Sequence, residues 1–247
     1  MAARHRDHDA VAAAVRARYQ TPASSLGYDV APRPYGVLAT LGDTRRAILD
    51  EAASTSDLHE LVADDATVVW VEDPDRAEHL ALTLATLGYE SGPATTYLAL
   101  VGDVRASLPE SLVLRPARDA VDFARRKLTY FADGTLPSED DLAREVTTRE
   151  RERDLADFYL VEIDGDVSAI LAAYRGEDLT AYLLATEPSR RSCGAGSGAL
   201  AAWAASTHAR SHVINALDGG RPSALYRRLG FVDEVYWYRR FERLSEK

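Results

Sequence analysis

Sulfur and basic charge are both scarce in this sequence. A single cysteine, Cys193, stands among 247 residues, so no intrachain disulfide can form and a reducing compartment fits. Lysine and arginine number 29 against 39 aspartates and glutamates, a formal net charge of −10. A broad basic footprint for nucleic acid or an anionic membrane is therefore not expected. No apolar run approaches the ~20 residues that cross a bilayer, and Met1 to Asp9 lack the apolar core of a secretion signal. We expect a cytoplasmic protein with no membrane partner. Of six histidines, only His208 and His212 have the i, i+4 spacing of a helical metal pair. No third ligand pattern accompanies them, so they read as solvated polar positions and no metal is expected.

What is present is ordinary globular material. Hydrophobic residues make up 46% and charged residues 28%, enough for one large core or two small ones. Heavy use of Ala, Arg and Asp resembles a high-GC bacterial source. The stretch Arg149-Glu150-Arg151-Glu152-Arg153-Asp154 alternates in sign and reads as a solvated helix end.

The second half shows clear punctuation. Leu112–Ala117 reads as a strand, and Asp119 as the N-cap of a helix with Val121, Ala124, Leu128 and Phe131 on one face. Ser138 can cap a second helix over Asp141–Glu152. Phe158–Ile163 and Val167–Tyr174 flank Asp164-Gly165, a two-residue hairpin signal. Gly176-Glu177-Asp178 turns into Leu179–Thr186, which completes an antiparallel meander. A helix then runs from about Gly196 to Ala209. Ser211–Leu217 is a strand, Pro222–Leu229 a short helix, and Val235–Phe241 a last strand. Strands first and β-α-β-α-β afterwards predict an α/β layer architecture: a mixed, mostly antiparallel sheet with helices on both faces.

The first half echoes that ending weakly. Tyr35–Leu41 reads as a strand, Thr44–Ala63 as a helix, Thr67–Val71 as a strand, Asp75–Leu87 as a helix and Thr95–Val101 as a strand. Leu84-Ala-Thr-Leu-Gly-Tyr89 lines up with Tyr226-Arg-Arg-Leu-Gly-Phe231, each at a helix end ahead of a strand. A duplicated half fits this spacing. The boundary falls in Gly102–Ser111, where Gly, Asp, Ser and Pro109 cluster, and divides the chain into 1–107 and 108–247.

The segment most able to carry chemistry is Arg191-Ser-Cys-Gly-Ala-Gly196, directly after a strand and opening a helix. Glycines let the backbone approach a phosphate, the N–H groups of Ser192, Cys193, Gly194, Ala195, Gly196 and Ser197 can point inward, and the helix N-terminus adds its dipole. Arg191 adds a charged donor. A dinucleotide-binding crossover is a rival, but the meander precedes the loop and the Gly-x-Gly-x-x-Gly spacing is missing. Cys193 reads as a small filler whose N–H does the work, since no histidine accompanies it in the motif.

Arg191-x-x-Gly194-x-Gly196, with Leu184-Ala-Thr-Glu-Pro188 before it, resembles the pyrophosphate loop of GNAT-superfamily N-acetyltransferases. Ala224-Leu-Tyr-Arg-Arg-Leu-Gly-Phe231 resembles the closing motif of the same family. Together they cover about the last 135 residues. The resemblance implies acetyl-CoA as co-substrate. It makes Tyr226 the acid at the departing thiolate, and it places the pantetheine along the backbone of Leu184, Ala185 and Thr186. A backbone N–H near Thr186 would polarise the thioester carbonyl. It further implies direct transfer to a primary amine of a small molecule, in a ternary complex. The first half then reads as a degenerate GNAT-like domain, without glycine run or tyrosine, and the chain as a possible pseudo-dimeric monomer.

Some features depart from the family pattern. Ser192 stands where a glycine is frequent. Leu179–Thr186 carries no acid for a general base, and Asp178 and Glu187 flank it poorly. Asp218-Gly219-Gly220 replaces an asparagine. These departures leave alternatives open: a non-catalytic acyl-CoA-binding or sensory module, a longer acyl donor, or a protein amine or hydroxyl as acceptor. The aromatics Phe123, Tyr130, Phe131, Tyr236, Trp237 and Tyr238 fall where the family shapes its acceptor pocket.

Overall fold

The computed structural model describes residue 13 and residues 28–41, 44–175, 179–207 and 211–244. Its strands are β1 Asp29–Arg33, β2 Gly36–Leu41, β3 Thr44–Leu49, β4 Val68–Val71, β5 Tyr89–Leu100 and β6 Val113–Pro116. They continue with β7 Ala156–Ile163, β8 Asp166–Arg175, β9 Leu179–Thr186, β10 Ser211–Leu217 and β11 Phe231–Arg243. The chain forms two compact units that interleave in sequence. The first takes the described residues up to Tyr97, Ala216–Ser223 and those from Glu234; the second takes Leu98–Asn215 and Ala224–Asp233.

In the first unit the strands lie in the order β1-β2-β3-β4-β11-β5. β1, β2 and β3 form an antiparallel meander, β3 and β4 run parallel, and β4 pairs antiparallel with the end of β11. Leu49, Leu58, Leu61, Val69, Leu84, Tyr89 and Phe241 meet in its core. The helix expected over Thr44–Ala63 does not form. Thr44–Leu49 is strand β3, and only a short 3-10 turn at Asp57–His59 and a helix at Glu60–Ala63 follow. Arg, Ala and Leu favour a helix locally, but Ala47, Ile48 and Leu49 are buried between β2 and β4, and sheet pairing overrides propensity. β1 was not foreseen.

The aligned segments do share geometry. Helix Pro74–Thr86 and helix Arg221–Leu229 each lead to a glycine of positive φ, Gly88 at +86° and Gly230 at +105°. Each glycine is followed by a buried aromatic, Tyr89 or Phe231, that begins a long strand. Left-handed φ at these positions suits glycine alone without strain.

In the second unit β6, β7, β8 and β9 form an antiparallel meander, and β9 runs parallel to β10. Asp164 (φ +55°) and Gly165 (φ +85°) make the tight turn between β7 and β8, both left-handed as a type I′ hairpin requires. Register places Phe158, Ala172 and Leu183 on one face, and Asp157, Ala173 and Tyr182 on the other. Helix Ala120–Phe131 covers the first face through Phe123, whose ring meets Phe158 at 5.0 Å. Helix Ala195–Ser206 covers the second through Trp203, whose ring meets Tyr182 at 5.9 Å. Helices thus lie on both faces.

Asp119 caps helix Ala120–Phe131 by accepting from Val121 N at 2.8 Å, and Ser138 caps helix Glu139–Arg151 by accepting from Asp141 N at 3.1 Å. The buried face of the first helix differs from the expected one. Phe123, Ala124 and Tyr130 are buried, while Val121 and Phe131 are 39% and 59% exposed. Helix Ala195–Ser206 ends before the expected Ala209, a position outside the described residues. Gly176–Asp178 and His208 also lie outside them.

The alternating-charge stretch is a solvated helix end only at Glu150, Arg151, Arg153 and Asp154, which are exposed. Arg149 and Glu152 are buried, at 5% and 8% exposure. Arg149 lies 2.6 Å from Glu152 and 2.7 Å from Glu145, and it donates to the Tyr174 hydroxyl at 2.5 Å. Tyr174 in turn donates to Glu152 at 2.9 Å, and Lys127 lies 2.7 Å from Glu145. The network ties both helices to β8. Burial pushes the Glu152 carboxyl above its ordinary pKa and the Lys127 amine below its own. The i, i+3 and i, i+4 spacings from Arg149 were legible, but its burial was not.

Candidate active site

β9 and β10 stay in parallel register only from Leu179 facing Ser211 to Tyr182 facing Ile214. β9 continues through Leu183–Thr186, and there it pairs only with β8 on its other side, from Leu183 facing Ala172 to Thr186 facing Ala169. The two strands therefore part as a fork. Along one side of it the backbone N–H and C=O groups of Leu183–Thr186 form an open edge, the arrangement that takes an extended amide chain as an added strand.

The expected phosphate loop begins at the open end of that fork. After β9, Pro188–Arg190 makes one 3-10 turn, Ser192 (φ +76°) and Gly194 (φ +85°) are left-handed, and the helix starts at Ala195. No side chain caps this helix. Its first intrahelical bond is Gly198 N to Gly194 O at 2.8 Å, which leaves the N–H groups of Ala195, Gly196 and Ser197 without a helical acceptor. A Cβ on Gly196 would stand 3.0 Å from Leu184 Cδ2 and 3.1 Å from Thr186 Oγ1. The glycine thus lets the helix start press onto the end of β9. Gly198, not singled out in the sequence, has the same role towards the segment before β6. A Cβ there would lie 2.6 Å from Leu112 Cδ1 and 2.9 Å from Pro109 Cδ.

Arg191 is half exposed. Its guanidinium lies 2.6 Å from Asp133 Oδ1 and donates to the Tyr130 carbonyl at 3.3 Å. Cys193 is exposed. Leu184, Thr186 and Gly196 are brought together directly, on the face that also carries Tyr182.

Tyr226 is linked to this face through one shared aromatic neighbour, Phe231. Its ring meets Phe231 at 6.4 Å, and Phe231 meets Tyr182 edge-on at 6.5 Å. Tyr226 is 6% exposed, and burial alone pushes its phenol pKa up to about 12, with no charge or hydrogen bond contributing. The hydroxyl therefore keeps its proton at neutral pH.

His212 is not a solvated position. Its Nδ1 lies 2.5 Å from the Tyr182 hydroxyl, the two rings stack at 5.8 Å, and burial lowers the imidazole pKa. Neither residue belonged to the expected site, although Tyr182 lies on the strand that the motif singles out. Tyr236 and Tyr238, expected near an acceptor, are buried in the first unit against Tyr97, and Tyr238 also stacks on Trp70. Among the described residues no group of three or more His, Cys, Asp or Glu side chains is arranged to hold a metal, and no helix is long and apolar enough to cross a membrane.

Comparison with solved structures gives the fold its name. The chain has the fold of GCN5-related N-acetyltransferases, the GNAT fold. One such protein from Kribbella flavida superposes with a TM-score of 0.60 at 17% identity, over 97% of this chain and 96% of its own. A conserved protein of unknown function from Staphylococcus epidermidis gives 0.63 at 10% identity, over 85% and 91%. A tandem GNAT protein from the clavulanic acid biosynthesis pathway gives 0.51 at 16% identity, over 85% of this chain and 79% of its own. No protein-family model matches the chain, and no curated protein matches it in sequence.

Proposed function

We propose that the protein is an acyl-CoA-dependent N-acyltransferase that moves acetyl from acetyl-CoA to a primary amine of a small molecule. The observation that carries this reading is the fork. An open strand edge at Leu183–Thr186 ends against an uncapped helix N-terminus, where Gly196 leaves room for no side chain. A polyanion joined to an extended amide-bearing arm matches both parts, the phosphates at Arg191–Ser197 and the amides along Leu184, Ala185 and Thr186. Arg191 would exchange Asp133 for phosphate oxygens.

The chain's own groups then divide the work. From Thr186 to the closed end of the fork is four residues, about 13 Å at ~3.3 Å per residue. A thioester held two to three residues along that span, about 7–10 Å in, meets the backbone N–H groups at Leu183–Leu184, and we assign the polarising role there and phosphate-end contacts to Thr186. These amides stabilise the oxyanion as the amine attacks and the N–C bond forms. As the C–S bond breaks, Tyr226 donates to the departing sulfur. A phenol near 12 against a thiol near 8.5 gives a hydrogen bond rather than its proton outright. The proton shed by the amine completes the free thiol.

We treat 1–107 and 108–247 as the two ancestral repeats, although the compact units exchange segments across that boundary. The first repeat is the degenerate one, and the setting is cytoplasmic. Acetyl-CoA turnover with a panel of primary amines tests the reading. Amine-dependent thiol release supports transfer, whereas CoA binding without release marks a sensor.

A further inference from the structure

A buried, fixed aromatic group stands at the closed end of the fork. Tyr182 faces Ile214 in the last register pair before the strands part, and its side chain lies on the same face as Leu184 and Thr186. Its ring is 3% exposed, held edge-on by Trp203 at 5.9 Å and by Phe231 at 6.5 Å. Its hydroxyl is tied to His212 Nδ1 at 2.5 Å, on the next strand, and the two rings stack at an interplanar angle of 13°. Phe231 also touches Tyr226, so Tyr182 and the proposed hydrogen-bond donor to the departing sulfur share one neighbour. A tyrosine held on three sides cannot swing to another rotamer without opening contacts in a close-packed interior.

We propose that Tyr182, held in place by His212, sets the length of the acyl group that the fork accepts, so that the donor is a short-chain acyl thioester. The inference rests on the acyl-CoA reading above. An acyl chain entering beside Leu184 advances along β9 until the strands close. There it meets the Tyr182 ring, backed by Phe231 and Trp203. One or two carbons beyond the carbonyl stop short of the ring, while four more methylenes would displace it. Each methylene that a closed pocket refuses is worth about 10–200-fold in discrimination. Tyr182 determines specificity; His212 is a positioning residue that acts through it.

The test uses the full chain with acetyl-, butyryl- and hexanoyl-CoA, and it reads kcat/KM together with calorimetric affinity for CoA and for hexanoyl-CoA. The wild type should disfavour hexanoyl relative to acetyl by about 100-fold or more. Tyr182→Ala should raise the hexanoyl-to-acetyl ratio at least tenfold and leave affinity for CoA itself within about threefold. His212→Ala and Tyr182→Phe free the ring without removing it, and they should move the ratio the same way by a smaller factor. If Tyr182→Ala fails to fold, Tyr182→Leu keeps apolar volume and removes the ring, with the same expectation. An unchanged ratio in Tyr182→Ala or Tyr182→Leu overturns the assignment, as does a wild type that turns over hexanoyl-CoA as well as acetyl-CoA. A wild type that binds no CoA and turns over no donor overturns the parent reading instead. CoA binding without turnover leaves the wall readable, because hexanoyl-CoA should then bind far more weakly than CoA to the wild type and about equally to Tyr182→Ala.

Discussion

Tyr182 and Ile214 are the last residues at which β9 and β10 face each other, and four further residues of β9 run on without that partner. The parallel pair of the first unit ends differently. Ile48 faces Trp70, and β3 stops one residue later at Leu49, so no open edge remains. The turn that follows is filled by the chain's own carboxylates: Ala52 N donates to Asp50 Oδ1 at 2.9 Å, and Ser54 N donates to Asp57 Oδ2 at 2.8 Å. Backbone donors that would hold a phosphate are already satisfied. Calorimetric titration should return one CoA per chain, and a stoichiometry of two would show that this half also binds.

Gly196 fixes how closely the helix start approaches β9. Its missing Cβ leaves only 3.0–3.1 Å to Leu184 and Thr186, so Gly196→Val forces them apart. Overpacking of this kind costs about 1–3 kcal/mol of stability, which a protein of this size survives. Loss of one or two charge-assisted hydrogen bonds to phosphate removes about 3 kcal/mol of binding, or about 100-fold in affinity. A folded variant with unchanged CoA affinity would disprove the loop assignment.

Ser192 has φ +76°, a left-handed conformation that costs an L-residue about 1–2 kcal/mol. The departure from the family's glycine is therefore a strained position. Ser192→Gly should stabilise by about 0.5–1 kcal/mol once the added chain entropy is subtracted, raising Tm by about 1–3 °C. A lower Tm would mean that the serine hydroxyl makes a compensating contact.

Arg149 neutralises two carboxylates in a buried setting, at 2.6 and 2.7 Å. Arg149→Met leaves Glu145 and Glu152 facing each other with only Lys127 to compensate. Breaking a buried pair on one side costs about 3–5 kcal/mol. Chemical denaturation should register that loss; a change below about 1 kcal/mol would show that water reaches the network.

The second unit was readable because its punctuation is chemical. Asp119 and Ser138 cap where capping residues are wanted, Asp164-Gly165 turns where two left-handed residues are needed, and Gly194 and Gly196 mark a helix start. The first unit was harder, since Thr44–Leu49 carries helix-favouring residues and becomes a strand only through β2 and β4. That β11 pairs with β4, Arg239 facing Val71, has no local signature at all. The fork was equally hidden: nothing in Leu183–Thr186 announces that β10 leaves it. Nor does spacing reveal that His212 bonds a tyrosine instead of water.

Tyr226→Phe probes acyl transfer most directly, because it keeps the ring against Phe231 and removes only the hydroxyl. Steady-state kinetics with acetyl-CoA and a productive amine should show kcat lower by about 10²–10³, the cost of losing one donor at a developing charge. CoA affinity should stay within about twofold, and the melting temperature should shift by no more than about 1 kcal/mol of stability implies. Turnover near that of the wild type in a folded Tyr226→Phe would contradict the assignment of Tyr226 as the donor to the departing sulfur.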